Sequence, residues 1–204
     1  MVSTMKYVGT DSIFATHIAK YSLPELIDEI TPIHKDYITD ESLWFANQSE
    51  NCYLLNNHKE LQQKLIDVAH DFLVKRLNYD CNVQMTTSWF TRTRNKDYQK
   101  NKHTHHNSWW SGVYYFQDEC AIQFDNVLAQ FSSIKVLPKD FSLNTTELAT
   151  YRPKKGELLL FPSQTPHMVI KNENKKQYTH TRSSLAFNFM PKGKIGHYDS
   201  HWEF

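Results

Sequence analysis

Charge of one sign, long apolar runs and paired cysteines are all missing from this chain of 204 residues, and each absence closes off a class of protein. Lysine and arginine number 23 against 22 acidic residues, a formal net charge of +1, so no global field draws the chain to DNA or an acidic membrane. Generic nucleic-acid binding is not expected. The longest apolar runs, such as Leu158 to Phe161, are far too short to span a bilayer, and the opening MVSTMKYVGTDS has no apolar signal-peptide core. Cys52, Cys81 and Cys120 are odd in number and form no CxxC pair, which offers no zinc or redox motif and fits a reducing compartment. A cytoplasmic protein with no membrane partner is the expectation. Glycine and proline number only five and seven beside 40% hydrophobic and 14% aromatic residues, which excludes disordered, collagenous and low-complexity classes. What the chain has in excess is histidine: eleven in all, three of them at His103, His105 and His106.

The length suits one domain over 1–204, with helical support in 1–80, a β core in 81–191 and a tail in 192–204. Ser22 and Glu25 form a capping box that opens a helix through Leu26, Ile27 and Ile30, and Pro32 is expected to stop it. Asn57 and Glu60 cap a second helix in which Leu61, Leu65, Val68, Phe72 and Leu77 recur at helical spacing up to about Tyr79. Such stripes pack on a sheet and carry no chemistry. Beyond Tyr79 the spacing predicts strands near 83–92, 111–117, 121–125, 131–136, 157–161, 166–171 and 182–190. Helices do not alternate with them, so a sandwich or barrel is expected rather than a parallel sheet.

Three elements carry candidate chemistry. His103 and His105 are two apart, so in an extended strand both imidazoles project from one face, toward a shared metal. An exposed polar turn is the other reading of NKHTHHNS, and His106 would face away. The segment Gly156 to His167 brings an apolar strand through a proline turn to His167, the natural third ligand from another strand. Arg182 opens Arg182-Ser-Ser-Leu-Ala-Phe-Asn-Phe189, where Leu185, Phe187 and Phe189 share one face and Arg182 and Ser184 the other. An inward guanidinium needs an anion, either a bound carboxylate or an internal acidic partner.

Together, His-x-His-x5-Ser-Gly-Val-Tyr-Tyr at 103–115, Gly-x-Leu-x2-Phe-Pro-Ser-x3-His at 156–167 and Arg-x-Ser-x2-Phe-Asn at 182–188 resemble the phage-associated and marine-bacterial branch of the iron(II)/2-oxoglutarate-dependent oxygenases. The resemblance implies a mainly β double-stranded β-helix, a cupin-like jelly roll preceded by supporting helices. It implies a dioxygenase, an oxidoreductase that uses Fe(II), 2-oxoglutarate and O2, usually to hydroxylate its substrate. Carried over, it makes His103 and His167 iron ligands. Arg182 becomes the partner of the distal 2-oxoglutarate carboxylate, assisted by Ser184 and Tyr115, with Tyr114 facing away. If phage-encoded, the enzyme would work in the host cytoplasm.

The family pattern His-x-Asp/Glu is broken here, because His105 stands where a carboxylate is usual. Three readings compete: His105 completes the site, the favoured one; Asp125, or less readily Asp118 or Glu119, supplies a carboxylate; or two histidines act with a water. A shifted register would begin at His105 and use Asn107. Trp109 and Trp110 would wall the pocket or pack in the core, and the basic stretch from Arg92 to Lys102 would meet an acidic substrate or simply be solvated. A protein side chain, a nucleotide or a small metabolite all remain open as substrate. A cupin-like metal protein of other chemistry and an inactive jelly-roll binding module are the competing functions.

Overall fold

The computed structural model describes residues 15–37, 43–44, 48–93, 102–116, 121–128, 134, 139–140, 142, 145–170 and 182–203. A short strand β1 (Ala19–Ser22) leads into α1 (Leu26–Tyr37), followed by the two-residue strands β2 (Leu43–Trp44) and β3 (Gln48–Ser49). A 3-10 turn (Leu54–Asn57) and α2 (Lys59–His70) come next, and α2 runs directly into a π-helical segment, Asp71–Arg76. The β region then holds β4 (Asn82–Thr93), β5 (Trp110–Tyr115), β6 (Ile122–Asp125), β7 (Leu148–Tyr151), β8 (Glu157–Pro162), β9 (His167–Val169) and β10 (Arg182–Lys192). A small hairpin of β11 (Lys194–Ile195) and β12 (Trp202–Glu203) forms within the expected tail.

Two helix expectations need correction. Pro32 lies inside α1 instead of ending it. Leu26 and Ile30 are buried, and Ile33 and Tyr37 pack on the same core, so the apolar stripe continues past the proline and its burial outweighs the lost backbone hydrogen bond. Neither predicted capping box forms: the Leu26 N–H donates to the Leu23 carbonyl at 3.2 Å, and α2 is preceded by His58 with no side-chain cap. Along α2 and the π-helical segment the buried positions are Leu61, Leu65, Ala69 and Leu73, with Val68, Phe72 and Leu77 packed beside them. The strand expected at 131–136 lies outside the described residues apart from Ile134.

The strands form two facing sheets. The larger has the order β1-β8-β5-β10-β4-β3-β2, and the smaller β7-β6-β9 is extended by a single antiparallel pair, His103 with His167. Alternation along the central strands separates two apolar clusters. Leu158 and Leu160 of β8, Tyr114 of β5 and Leu185, Phe187 and Phe189 of β10 face the helices, whereas Leu159, Phe161 and Tyr115 join Ile122 and Phe124 between the sheets. The continuous run Leu158 to Phe161 is therefore a strand buried on both faces. Gly112 permits the close fit of β5 on β10, since a Cβ there would lie 2.0 Å from the Phe187 ring. This is a double-stranded β-helix with helices covering one sheet. Among the described residues no helix is long and apolar enough to cross a membrane.

Candidate metal centre

His103 and His167 exchange both backbone hydrogen bonds at 3.0 Å, which fixes one imidazole on each side of the bridge. The pairing is one residue long, so the extended strand expected through His105 is reduced to this contact. His105 is held instead by its N–H to the Ser163 carbonyl at 2.9 Å and by Gln164 Nε2, which donates to the His105 carbonyl at 2.9 Å. Ser163 is itself fixed: its hydroxyl lies 2.7 Å from Ser108 Oγ and 2.8 Å from Ser111 Oγ, and Ser111 donates to Asn188 Oδ1 at 2.8 Å. Asn188 Nδ2 completes the chain to Thr87 at 3.0 Å. This polar ladder crosses from the turn to β5, β10 and β4 and anchors the backbone that carries His105.

The three imidazoles His103, His105 and His167 converge so that one ligand nitrogen from each lies within 4.8 Å of the others. The His105 and His167 rings are parallel, 1° apart, with their Nε2 atoms 3.3 Å from each other. His167 is only 4% exposed, and its Nδ1 donates to the Thr165 carbonyl oxygen at 2.9 Å. That bond fixes the tautomer and leaves a lone pair on Nε2. Two basic nitrogens at such a distance are favourable only with a proton or a cation between them, so the donor set fits a divalent transition metal.

Of the alternative ligands, Asp125 is not brought to the cluster. On β6 Phe124 pairs with His167 and faces the interior, which turns the next residue outward, and Asp125 Oδ2 is instead ion-paired with Lys102. Asn107 sits in an exposed turn at φ 52°, and His106 is also exposed, so the shifted register places its second residue in solvent. Asp118 and Glu119, and the basic residues 94–101, lie outside the described residues.

The imidazoles open into a narrow cavity that Tyr115, Phe161, Ile122, Val169, Ser184 and Ala186 help to line. Ser184 Oγ is 3.1 Å from Thr91 Oγ1. Arg182 pairs with Thr93 two residues further along β10, and its side chain lies outside the described residues. Tyr114 faces the other way, as expected, and donates to the Leu23 carbonyl at 2.7 Å, while burial pushes its phenol up and keeps it protonated. Trp110 is buried against Phe72, and Trp109 packs on Tyr79 beside a separate cavity, so neither tryptophan walls the site. Among the described residues the tryptophan that does is Trp89 of β4, whose ring centroid is 5.7 Å from that of His105. Sequence patterning missed it because an aromatic in a predicted strand reads as core.

Fold and site together define a double-stranded β-helix protein with a cluster of three imidazoles whose donor set suits a metal ion. Residues 87–188, half of the chain, match the family model described as "Putative 2OG-Fe(II) oxygenase". The chain belongs to this family of oxidoreductases, whose cofactors are Fe(II) and 2-oxoglutarate. Nothing among curated protein sequences matches it.

Solved structures similar to it share the fold at low identity. SnoK, a non-heme alpha-ketoglutarate-dependent carbocyclase from nogalamycin biosynthesis, aligns with a TM-score of 0.61 at 8% identity over 86% of this chain and 79% of its own. HygX from Streptomyces hygroscopicus, with nickel, 2-oxoglutarate and hygromycin B bound, aligns at 0.56 and 11% over 86% and 83%. The chain spans 57% of the length of a 2OG-Fe(II) oxygenase family oxidoreductase from Burkholderia pseudomallei, 65% of this chain aligning at 13% identity with a TM-score of 0.45.

Proposed function

We propose that the chain is an Fe(II)- and 2-oxoglutarate-dependent dioxygenase that holds iron on His103, His105 and His167 and hydroxylates a small metabolite. The observation that carries this reading is the convergence of three imidazoles with the His167 tautomer fixed for ligation through Nε2. Bound iron would couple the decarboxylation of 2-oxoglutarate by dioxygen, to succinate and carbon dioxide, with oxidation of a substrate C–H bond. The chain's own residues bind and shield. Arg182, with Ser184 and Tyr115, would take the distal carboxylate of the cosubstrate, because a guanidinium fork matches a carboxylate in charge and shape. Phe161, Ile122 and Val169 give the cavity apolar walls that exclude water. Three neutral ligands leave the metal's full charge to be balanced by the cosubstrate, so iron should bind weakly until 2-oxoglutarate is present.

The small-metabolite class is supported by HygX with hygromycin B and by the nogalamycin enzymes, in preference to a protein side chain or nucleotide. Free Cys52 and Cys81 suit a reducing compartment such as the cytoplasm. Anaerobic addition of Fe(II) and 2-oxoglutarate should give a visible charge-transfer band, and oxygen should then yield succinate. His167→Ala should abolish the band, and Arg182→Ala should weaken 2-oxoglutarate binding at least tenfold while leaving metal affinity nearly unchanged. No band in the native protein, or equal loss of metal and cosubstrate in Arg182→Ala, would count against the assignment.

A further inference from the structure

We infer that the indole N–H of Trp89 is a positioning donor for the metal-proximal end of 2-oxoglutarate, an inference that rests on the function proposed above. Trp89 is 7% exposed, and its Nε1 is buried with no hydrogen-bond partner among the described residues. A buried donor left unpaired is costly, and one carried by a side chain that lines the cavity is a candidate partner for a ligand's acceptor.

Its surroundings say which end of the ligand. Pairing across β10 and β4 sets Asn188 opposite Thr87, Ala186 opposite Trp89, Ser184 opposite Thr91 and Arg182 opposite Thr93, so these pairs form successive rows on one face. The Asn188 row is closed by its own hydrogen bonds to Ser111 and Thr87. The Trp89 row touches the ring of His105, whereas the Arg182 row lies roughly 13 Å further along at the usual strand rise. The cosubstrate is shorter than that separation, so the long Arg182 side chain would supply the remaining reach; with its distal carboxylate at that guanidinium, the other carboxylate is the end that lies toward the Trp89 row and the imidazoles. Small Ala186 opposite the indole leaves the space open, and both residues line the cavity.

The test uses protein labelled with nitrogen-15 at its five tryptophan indoles and loaded with redox-inert Zn(II). Trp89→Phe keeps a smaller aromatic ring beside His105, removes the donor and assigns the Trp89 resonance by its disappearance. On titration with 2-oxoglutarate, the Trp89 indole proton should move downfield and saturate with the binding curve. Trp89→Phe should weaken 2-oxoglutarate about tenfold, with Zn(II) affinity unchanged within twofold. If 2-oxoglutarate binds, and Arg182→Ala weakens it, but the indole resonance stays put and Trp89→Phe binds normally, the inference is overturned while the proposed function stands. Equal loss of zinc and cosubstrate in Trp89→Phe would also overturn it, by showing a role in holding His105. If the native zinc protein takes up no 2-oxoglutarate at all, both readings fall together.

Discussion

Single atoms decide much of this site, beginning with one that is absent. Gly112 stands in the Ser-Gly-Val-Tyr-Tyr motif because Phe187 of the adjacent strand occupies the space a side chain would need. Gly112→Ala should cost about 1–3 kcal/mol in urea denaturation. Combining it with Phe187→Leu should recover part of that loss, the non-additivity expected of residues in contact; strictly additive losses would mean the strain lies elsewhere. At this scale the sequence was informative where chemistry and spacing coincide. His103 and His105, two apart, converge although only His103 keeps a strand pairing, and His167 follows a strand-turn unit whose residues spell its shape. The Ser163 ladder and the Trp89 donor were hidden, because serines at 108, 111 and 163, and an aromatic in a strand, have no spacing that betrays a shared partner.

Among the secondary elements, α1 shows how tertiary packing overrides a local rule. Pro32 is exposed on the outer side of a helix whose other face is held by Ile30 and Ile33, so its missing N–H costs stability without ending the helix. Pro32→Ala should therefore raise stability by about 1–2 kcal/mol, seen as a higher urea midpoint with an unchanged slope. An unchanged or lower midpoint would show that the proline is matched to its place. The strands were more legible than the helix ends. β4, β5, β6, β8 and β10 fall within two residues of their expected limits because each is an apolar or alternating run bounded by polar turns. β1, β7 and the two-residue strands escaped notice, being too short for any period to register and dependent on neighbours for their pairing.

For the molecule as a whole, the contact between α1 and the large sheet contributes to its response to acid. His34 lies against Phe90 and Phe116, and burial, aided by the charge of Arg92, lowers its pKa from 6.5 to about 4. The unfolded chain thus binds more protons between those values, so this contribution to stability is intact above pH 6.5 and is lost as the pH falls toward 4. Relative to His34→Leu, the native protein's urea midpoint should drop on going from about pH 7.5 to about pH 5. Parallel midpoints would refute the assignment. The same scale gives the metal centre a second meaning. His105 and His167 are 62 positions apart in the chain. A cation gripped by both would cross-link the chain across that long loop, removing much of the freedom the loop enjoys when the chain opens. Cofactor supply would then govern how long each molecule survives as well as whether it can work.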